Sequence, residues 1–229
     1  MENKKTEIDI ILPNYNSSEF IEKTIQSVLK QNFNKWRLIL VDDFSNLKTR
    51  KIIKKFDKFK KIKIYWLKKN KGAAYCRNFA ISKSNSKYVA FLDSDDIWEK
   101  NKLKLQIEYM KKNNYYFTYT YYKTFGLKFK TITPPIKLNF DNFIRNTSIA
   151  TSTMMIKREI MEGIKFTDTN ICEDYYFKCK ILKKIKFAYC LKKYLTKYRI
   201  RNNSLQSNKL KNFYWIWKIN YKYNKLGFF

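Results

Sequence analysis

Over the first hundred residues, short apolar runs alternate with stretches in which apolar side chains recur every three or four positions. Residues 7–12, 37–41, 62–67 and 88–92 are compact, rich in β-formers and bounded by polar breaks, which predicts four strands. Between them, Ile21, Ile25, Val28 and Leu29 share one helical face, with Ser17 or Ser18 as cap and Glu19 and Glu22 near the positive end. Ile52, Ile53, Phe56 and Phe59 form the inner side of a second, lysine-laden helix. Asn70 to Gly72 turns the chain into a third, running through Ala73, Ala74, Arg77 and Ala80. This alternation predicts an α/β single domain with a mostly parallel central sheet, right-handed crossovers and flanking helices. It also brings residues 13–16, 42–45 and 93–96 to one edge of the sheet, where ligands of such folds bind.

The second half is less regular. Residues 100–113 predict a helix with Leu103, Ile107 and Met110 inward, residues 115–122 an aromatic β-prone run, and Pro134 and Pro135 a break. Residues 152–157 predict a strand, and 172–179 the opening of a helix with Glu173 and Asp174 at its N-terminus. Residues 185–189 and 195–199 predict two more strands. From Leu205 the tail predicts a helix carrying Phe213, Tyr214, Trp215, Ile216 and Trp217 among lysines. No repeat or Ser/Gly linker divides the chain.

Composition narrows the chemistry. The 229 residues are 45% hydrophobic and 18% aromatic, which suits one well-cored domain. No apolar run approaches the ~18 residues of a membrane span and no signal-like segment opens the chain, so a cytoplasmic protein is expected. Four cysteines without a Cys-x-x-Cys pair read as reduced thiols, not as a zinc or redox motif. Histidine is absent, so proton transfer falls to Asp, Glu, Lys, Tyr or Cys. Formal net charge is +30, from 49 Lys+Arg against 19 Asp+Glu, which predicts attraction to polyanions. The same lysines, with abundant Asn, Ile, Tyr and Phe, also match an AT-rich genome, so charge supports a partner without choosing it.

Asp93, Asp95 and Asp96 crowd the end of the fourth strand. Like charges repel there, and a cation or ligand relieves the repulsion. Hard carboxylate oxygens suit Mg2+ or Mn2+ completed by phosphate oxygens. A polar turn with Ser94 or Asp96 as helix cap is the plain alternative.

Taken in order, Pro13-x-Tyr15-Asn16, Asp42-Asp43-x-Ser45, Asn70-x-Gly72 with Arg77-Asn78, Asp93-Ser94-Asp95-Asp96 and Glu173-Asp174 resemble the inverting family 2 glycosyltransferases of GT-A (Rossmann-like) fold. The likeness includes bacterial surface-polysaccharide transferases of the teichuronic-acid and lipopolysaccharide type, and runs from about residue 7 to about residue 204. It implies a GT-A domain over 1–204, with a nucleotide-binding half over 1–100 and an acceptor half over 101–204, followed by a basic aromatic C-terminal helix over 205–229. By resemblance, Pro13, Tyr15 and Asp43 hold the base, Asp43 accepting from a uracil N–H and Tyr15 packing on the ring. Gly72, Arg77 and Ser94 belong to the nucleotide-sugar site, with Arg77 near base or diphosphate. Asp93 approaches the ribose or sugar, Asp95 carries the metal with Asp96 close by, and Asp174 is the catalytic base. Read singly, Tyr15 could pack on the sheet edge, Asp43 could cap the next helix, Arg77 could pair on a helix surface, and Glu173 and Asp174 could complement a helix dipole.

One position departs from the family pattern. Where members often carry histidine, the segment from Tyr198 to Ser204 has Arg201. Arginine cannot ligate a metal but clamps phosphate oxygens, so Arg201 is expected on the diphosphate. The resemblance implies a metal-dependent inverting transferase moving a sugar from a UDP-sugar donor to a glycan or lipid-linked acceptor in bacterial surface polysaccharide synthesis. A sugar nucleotidyltransferase would show a Gly-rich N-terminal phosphate loop, and a basic nucleic-acid-binding protein would leave the acidic cluster unexplained; no nucleic acid is expected. Aromatics among Lys209, Lys211, Lys218 and Lys222 suit an anionic membrane surface at the inner face of the cytoplasmic membrane, although helical aromatics are more often core.

Overall fold

The chain opens with β1 (Ile8–Asn14), α1 (Ile21–Leu29), β2 (Trp36–Asp42), α2 (Leu47–Lys54), β3 (Ile62–Trp66), α3 (Gly72–Ser82) and β4 (Tyr88–Phe91). These are the three strand–helix units and fourth strand that the hydrophobic pattern predicts. The computed structural model describes residues 6–169, 171–202 and 209–227. Asn203, Ser204 and Leu205, which the sequence places in the basic segment and at the start of the tail helix, lie outside the described residues.

The four strands lie in the order β3-β2-β1-β4, all parallel, with Asn14 beside Asp42 and Asp42 beside Trp66. Both faces are apolar, as a parallel sheet covered on both sides requires. Ile8, Ile10 and Leu12 of β1 pack with Ile21, Ile25 and Val28 of α1 and Ile53 of α2. Ile11, Val41 and Phe91 point the other way, toward Ala74, Cys76 and Ala80 of α3. Alternation along the strands thus sorts the helices onto two faces, and the polar strand tips are left at one edge.

The rest comprises β5 (Ile97–Trp98), α4 (Lys102–Asn113), β6 (Phe117–Gly126), β7 (Thr131–Ile132), β8 (Lys137–Leu138), α5 (Phe140–Arg145), β9 (Met155–Lys157), α6 (Glu173–Lys184), β10 (Ala188–Ile200) and α7 (Lys209–Lys218), which runs into a π-helical turn (Ile219–Tyr223). The sheet continues as β4-β9-β6-β10-β5, with β9 antiparallel to β4 and β6, and β10 parallel to β6. Phe177, Ile181 and Leu182 of α6 join α3 on one face, and Leu103, Ile107 and Met110 of α4 join α1 on the other. Among the described residues no helix is long and apolar enough to cross a membrane.

Several boundaries differ from the sequence reading. Residues 152–157 begin as a 3-10 turn (Thr151–Thr153), because Thr153 Oγ1 donates to Ala150 O (2.6 Å) and so competes with strand pairing. The two strands expected over 185–189 and 195–199 are one, β10, with register shifts on either side of Tyr194. The lysine pair Lys192 and Lys193 is therefore a bulge and not a turn. Neither Ser17 nor Ser18 caps α1: the Ser17 hydroxyl donates to Asn14 Oδ1.

Candidate active site

At the tips of β1 and β2 the two neighbouring aspartates have different work. Asp42 is fully buried and both its oxygens are engaged: it accepts from Asn14 Nδ2 (2.8 Å), Ser45 N (3.1 Å) and Arg50 Nε (2.9 Å). Asp43 reaches across to α3, where Oδ1 accepts from Lys71 N (2.7 Å) and Oδ2 from Gly72 N (2.8 Å). It caps the helix after β3, while Asn46 caps α2 through Thr49 N. The Cys76 thiol also meets this carboxylate, which with four acceptor positions keeps capacity beyond these bonds. Pro13 is half-buried at the end of β1, and Tyr15 stands 53% exposed beside this platform.

Gly72 makes that contact at φ +83°, in the left-handed region, with nothing within 4 Å of a built Cβ. Gly72→Ala therefore tests backbone strain without steric conflict. A destabilisation of about 1–2 kcal/mol, read by denaturant unfolding, is the expected outcome.

The acidic cluster after β4 is divided among three arginines. Arg77, buried in α3, donates from Nη2 to Asp93 Oδ1 (2.7 Å) and from Nη1 to Glu173 Oε1 (2.6 Å). Burial opposes its charge, yet Asp93, Glu173 and Asp174 hold the guanidinium firmly protonated. Arg201 Nε pairs with Asp95 Oδ2 at 3.0 Å. Arg199 holds the turn from behind, through its N–H to Asp96 Oδ1 (2.8 Å) and its Nε to Asp95 O (2.9 Å). Burial, and then the Asp93 charge, raise the Asp95 carboxyl; burial, Asp95 and Asp93 raise Asp96 further. The Ser94 carbonyl accepts from Thr24 Oγ1 of α1 at 3.0 Å, which fixes the turn against the helix.

A cleft of about 280 Å3 opens beside this cluster. Its lining includes Asp93, Thr151, Cys172, Asp174, Lys178 and Tyr198, and from α7 Asn212 and Ile216. Asp174 Oδ2 accepts from Thr151 Oγ1 (2.7 Å) and Lys178 Nζ (2.8 Å), and Lys178 also donates to Ile149 O (2.7 Å). Burial alone would raise the Asp174 carboxyl, but Lys178, Arg77 and Thr151 hold it well below the usual carboxylate range. A larger depression of about 590 Å3, lined by Glu7, Lys35 and Arg158 among others, lies at the opposite, amino end of β1. Its position at the wrong end of the strands sets it apart from the chemistry.

The donor set fits a divalent cation at Asp95 and Asp93. Both carboxylates are partly exposed, they repel each other, and one or two such groups with phosphate oxygens make a normal Mg2+ shell. Asp96 is 1% exposed, with Oδ1 committed to Arg199, and so is set back from any such cation. Among the described residues no group of three acidic, cysteine or histidine ligands is assembled.

Of the residues singled out in sequence, the structure joins Asp43 to Gly72, Arg77 to Asp93, and Asp95 to Arg201, and sets Asp93 and Asp174 in one cleft. Thr151 and Lys178 escaped the sequence reading. Lys178 lies four residues after Asp174 on α6, an i,i+4 pair that the sequence does signal. Thr151 is brought in only by tertiary folding.

The family model described as Glycosyl transferase family 2 matches residues 9–169. Bacillus subtilis (strain 168) TuaG, a glycosyltransferase named for teichuronic acid biosynthesis, is 36% identical over 233 residues, covering 100% of this chain and 92% of its own. Escherichia coli WfgD, named a UDP-Glc:alpha-D-GlcNAc-diphosphoundecaprenol beta-1,3-glucosyltransferase, is 34% identical over 216 residues, 93% of this chain and 84% of its own. Among solved structures, S. aureus TarS with UDP-GlcNAc gives a TM-score of 0.79 at 22% identity, over 93% of this chain and 65% of that one. Mannosyltransferase PcManGT from Pyrobaculum calidifontis, in complex with GDP-Man and Mn2+, gives 0.75 at 15% identity, over 98% and 66%. At these identities the likeness is one of fold, and the chain spans just under two thirds of both solved chains.

Proposed function

This chain belongs to glycosyl transferase family 2, and on that premise we propose that it moves a sugar from a UDP-linked donor to a glycan or lipid-linked acceptor, with inversion, in bacterial surface-polysaccharide synthesis. One observation carries the reading. Asp93 and Asp174 line one cleft, and Arg77 ties Asp93 to Glu173, the residue before Asp174. Residues 1–100 would bind the nucleotide and residues 101–204 the acceptor, with α7 beside it.

Tyr15 packs on the uracil ring, Pro13 borders it, and Asp43 accepts the base N–H on an oxygen left open by its bonds to Lys71 and Gly72. Asp93 meets the ribose or sugar and is held in place by Arg77. The acceptor hydroxyl oxygen bonds to the anomeric carbon while the bond to the diphosphate breaks on the opposite face. Its proton passes to Asp174 and the negative charge leaves on the diphosphate. One base and one displacement give inversion. Arg201 turns its guanidinium from Asp95 to the diphosphate oxygens. A divalent cation held by Asp95 and Asp93 would neutralise phosphate charge on the leaving group. A UDP-linked donor finds support in the names of WfgD and of the TarS complex, and a lipid-linked acceptor in that of WfgD; such an acceptor would bring the reaction to the inner face of the cytoplasmic membrane.

Calorimetry of UDP with Mn2+ tests the donor side. Binding should require the metal and weaken by about thirtyfold or more in Asp95→Ala, the equivalent of one lost charge-assisted contact of ~2 kcal/mol. UDP uptake indifferent to both the cation and the substitution would overturn the reading.

A further inference from the structure

The C-terminal helix has two apolar sides. On the inner side, Ile219 is fully buried, Tyr175 Oη donates to Asn220 Oδ1 (2.7 Å), and Asn212 and Ile216 wall the cleft that holds Asp93 and Asp174. Packing accounts for that face. Trp215, which the sequence grouped with the interfacial aromatics, is only half-exposed and lies outside the outer row.

The outer row is Leu210, Phe213, Tyr214, Trp217 and Tyr221. Spaced three and four apart, they form one stripe along α7 and the turn that follows it. Leu210 is 84% exposed and Phe213 73%. Trp217 and Tyr221 stack at 5.6 Å beside an apolar pocket of about 330 Å3 that includes Ile144, Arg145 and Leu226. A contiguous patch of this kind on a folded surface marks a contact site. Its charge says which. Residues 209–227 carry Lys209, Lys211, Lys218, Lys222 and Lys225 and no acidic residue. Lys218 sits at the edge of the stripe, 4.6 Å from the Trp215 ring and 5.6 Å from Tyr214.

We propose that the outer stripe of α7 docks on an anionic lipid bilayer. Leu210 and Phe213 enter the acyl boundary, the Tyr and Trp rings sit at headgroup depth, and the lysines meet lipid phosphates. A second copy of the chain would bring like charges together across the stripe, with +30 on each partner. A nucleic acid would use the lysines and leave Leu210 and Phe213 without a function. Only a bilayer uses both. If the proposed transfer reaction holds, on which this consequence rests, the helix that touches lipid is also a wall of the acceptor cleft. A lipid-linked sugar would then meet Asp174 without leaving the membrane.

Flotation of the full chain with phosphatidylcholine vesicles, with and without phosphatidylglycerol, tests docking without donor or acceptor. Binding should need the anionic lipid and fall with salt. It should drop by about tenfold or more in Leu210→Ser/Phe213→Ser, and by roughly fivefold in Lys222→Gln, which removes one charge. Both apolar positions are exposed and off the cleft, so Tm and metal-dependent UDP binding should not change. Failure to float, or equal flotation of the double variant, overturns the docking surface and leaves the donor reading untouched. So does light scattering showing a dimer that the double variant dissolves while vesicles capture neither form.

Discussion

Asp174→Asn should lower kcat by about a hundred- to ten-thousandfold while UDP binding in the presence of Mn2+ persists, if Asp174 is the base as proposed. Asparagine keeps the shape and one oxygen for Thr151 and Lys178 but cannot take the acceptor proton. The same change leaves the Lys178 ammonium buried with only Ile149 O as a full partner. Breaking a buried ion pair on one side costs about 3–5 kcal/mol at most, so Tm falls as well. Loss of activity and loss of fold are separated by Asp174→Asn/Lys178→Met, which removes both charges. It should regain much of the Tm and none of the turnover. Turnover recovering with Tm would remove Asp174 from the chemistry.

The pH dependence follows from the same contacts. The folded carboxyl of Asp174 titrates well below its unfolded value of about 4. Its contribution to stability is therefore complete above that unfolded value and is lost as pH falls toward the folded one. The Asp174 carboxyl therefore stays ionised throughout the neutral range, and as the proposed base it should set no acid limb in kcat/KM there. A carboxylate this acidic takes the proton only once attack is well advanced and the hydroxyl has itself become acidic. In Lys178→Met the carboxyl rises, and an acid limb should shift upward into the measurable range.

Arg77→Met has the largest expected effect on the fold. Its guanidinium is 7% exposed and bridges Asp93 and Glu173, and both carboxylates would lose their cation at once. A loss of about 3–5 kcal/mol, or roughly 10 °C in Tm, follows for a domain of this size. Arg77→Lys should recover only part, because an ammonium lacks the planar fork that reaches two carboxylates in fixed directions. A Tm for Arg77→Met equal to that of the parent chain would show that the bridge contributes nothing. Full donor turnover in a variant whose Tm has dropped would show that it is structural only, with no part in setting Asp93.

The strand–helix half was legible because each of its signals is local. Ile8, Ile10 and Leu12 alternate on β1, Ile21, Ile25 and Val28 recur on α1, and polar tips punctuate the strands. The acidic cluster and Glu173-Asp174 could be singled out for the same reason: they are short and unusual in composition. The antiparallel β9, the continuous β10 across its lysine bulge, and the 3-10 turn at Thr151 were not legible. Their form depends on which strand lies alongside, not on their own residues.

By itself, then, the order of residues determined the parallel sheet, the edge where its polar tips meet, and the carboxylates gathered there. Periodicity and turn chemistry act within a few residues, so a linear chain carries them whole. Only the tertiary structure decided the pairings: Arg77 between Asp93 and Glu173, Arg201 on Asp95, Asp43 on the start of α3, and Thr151 on Asp174. Several of those partners lie dozens of residues apart. Charges separated so far along a chain acquire a meaning only when packing excludes water from between them.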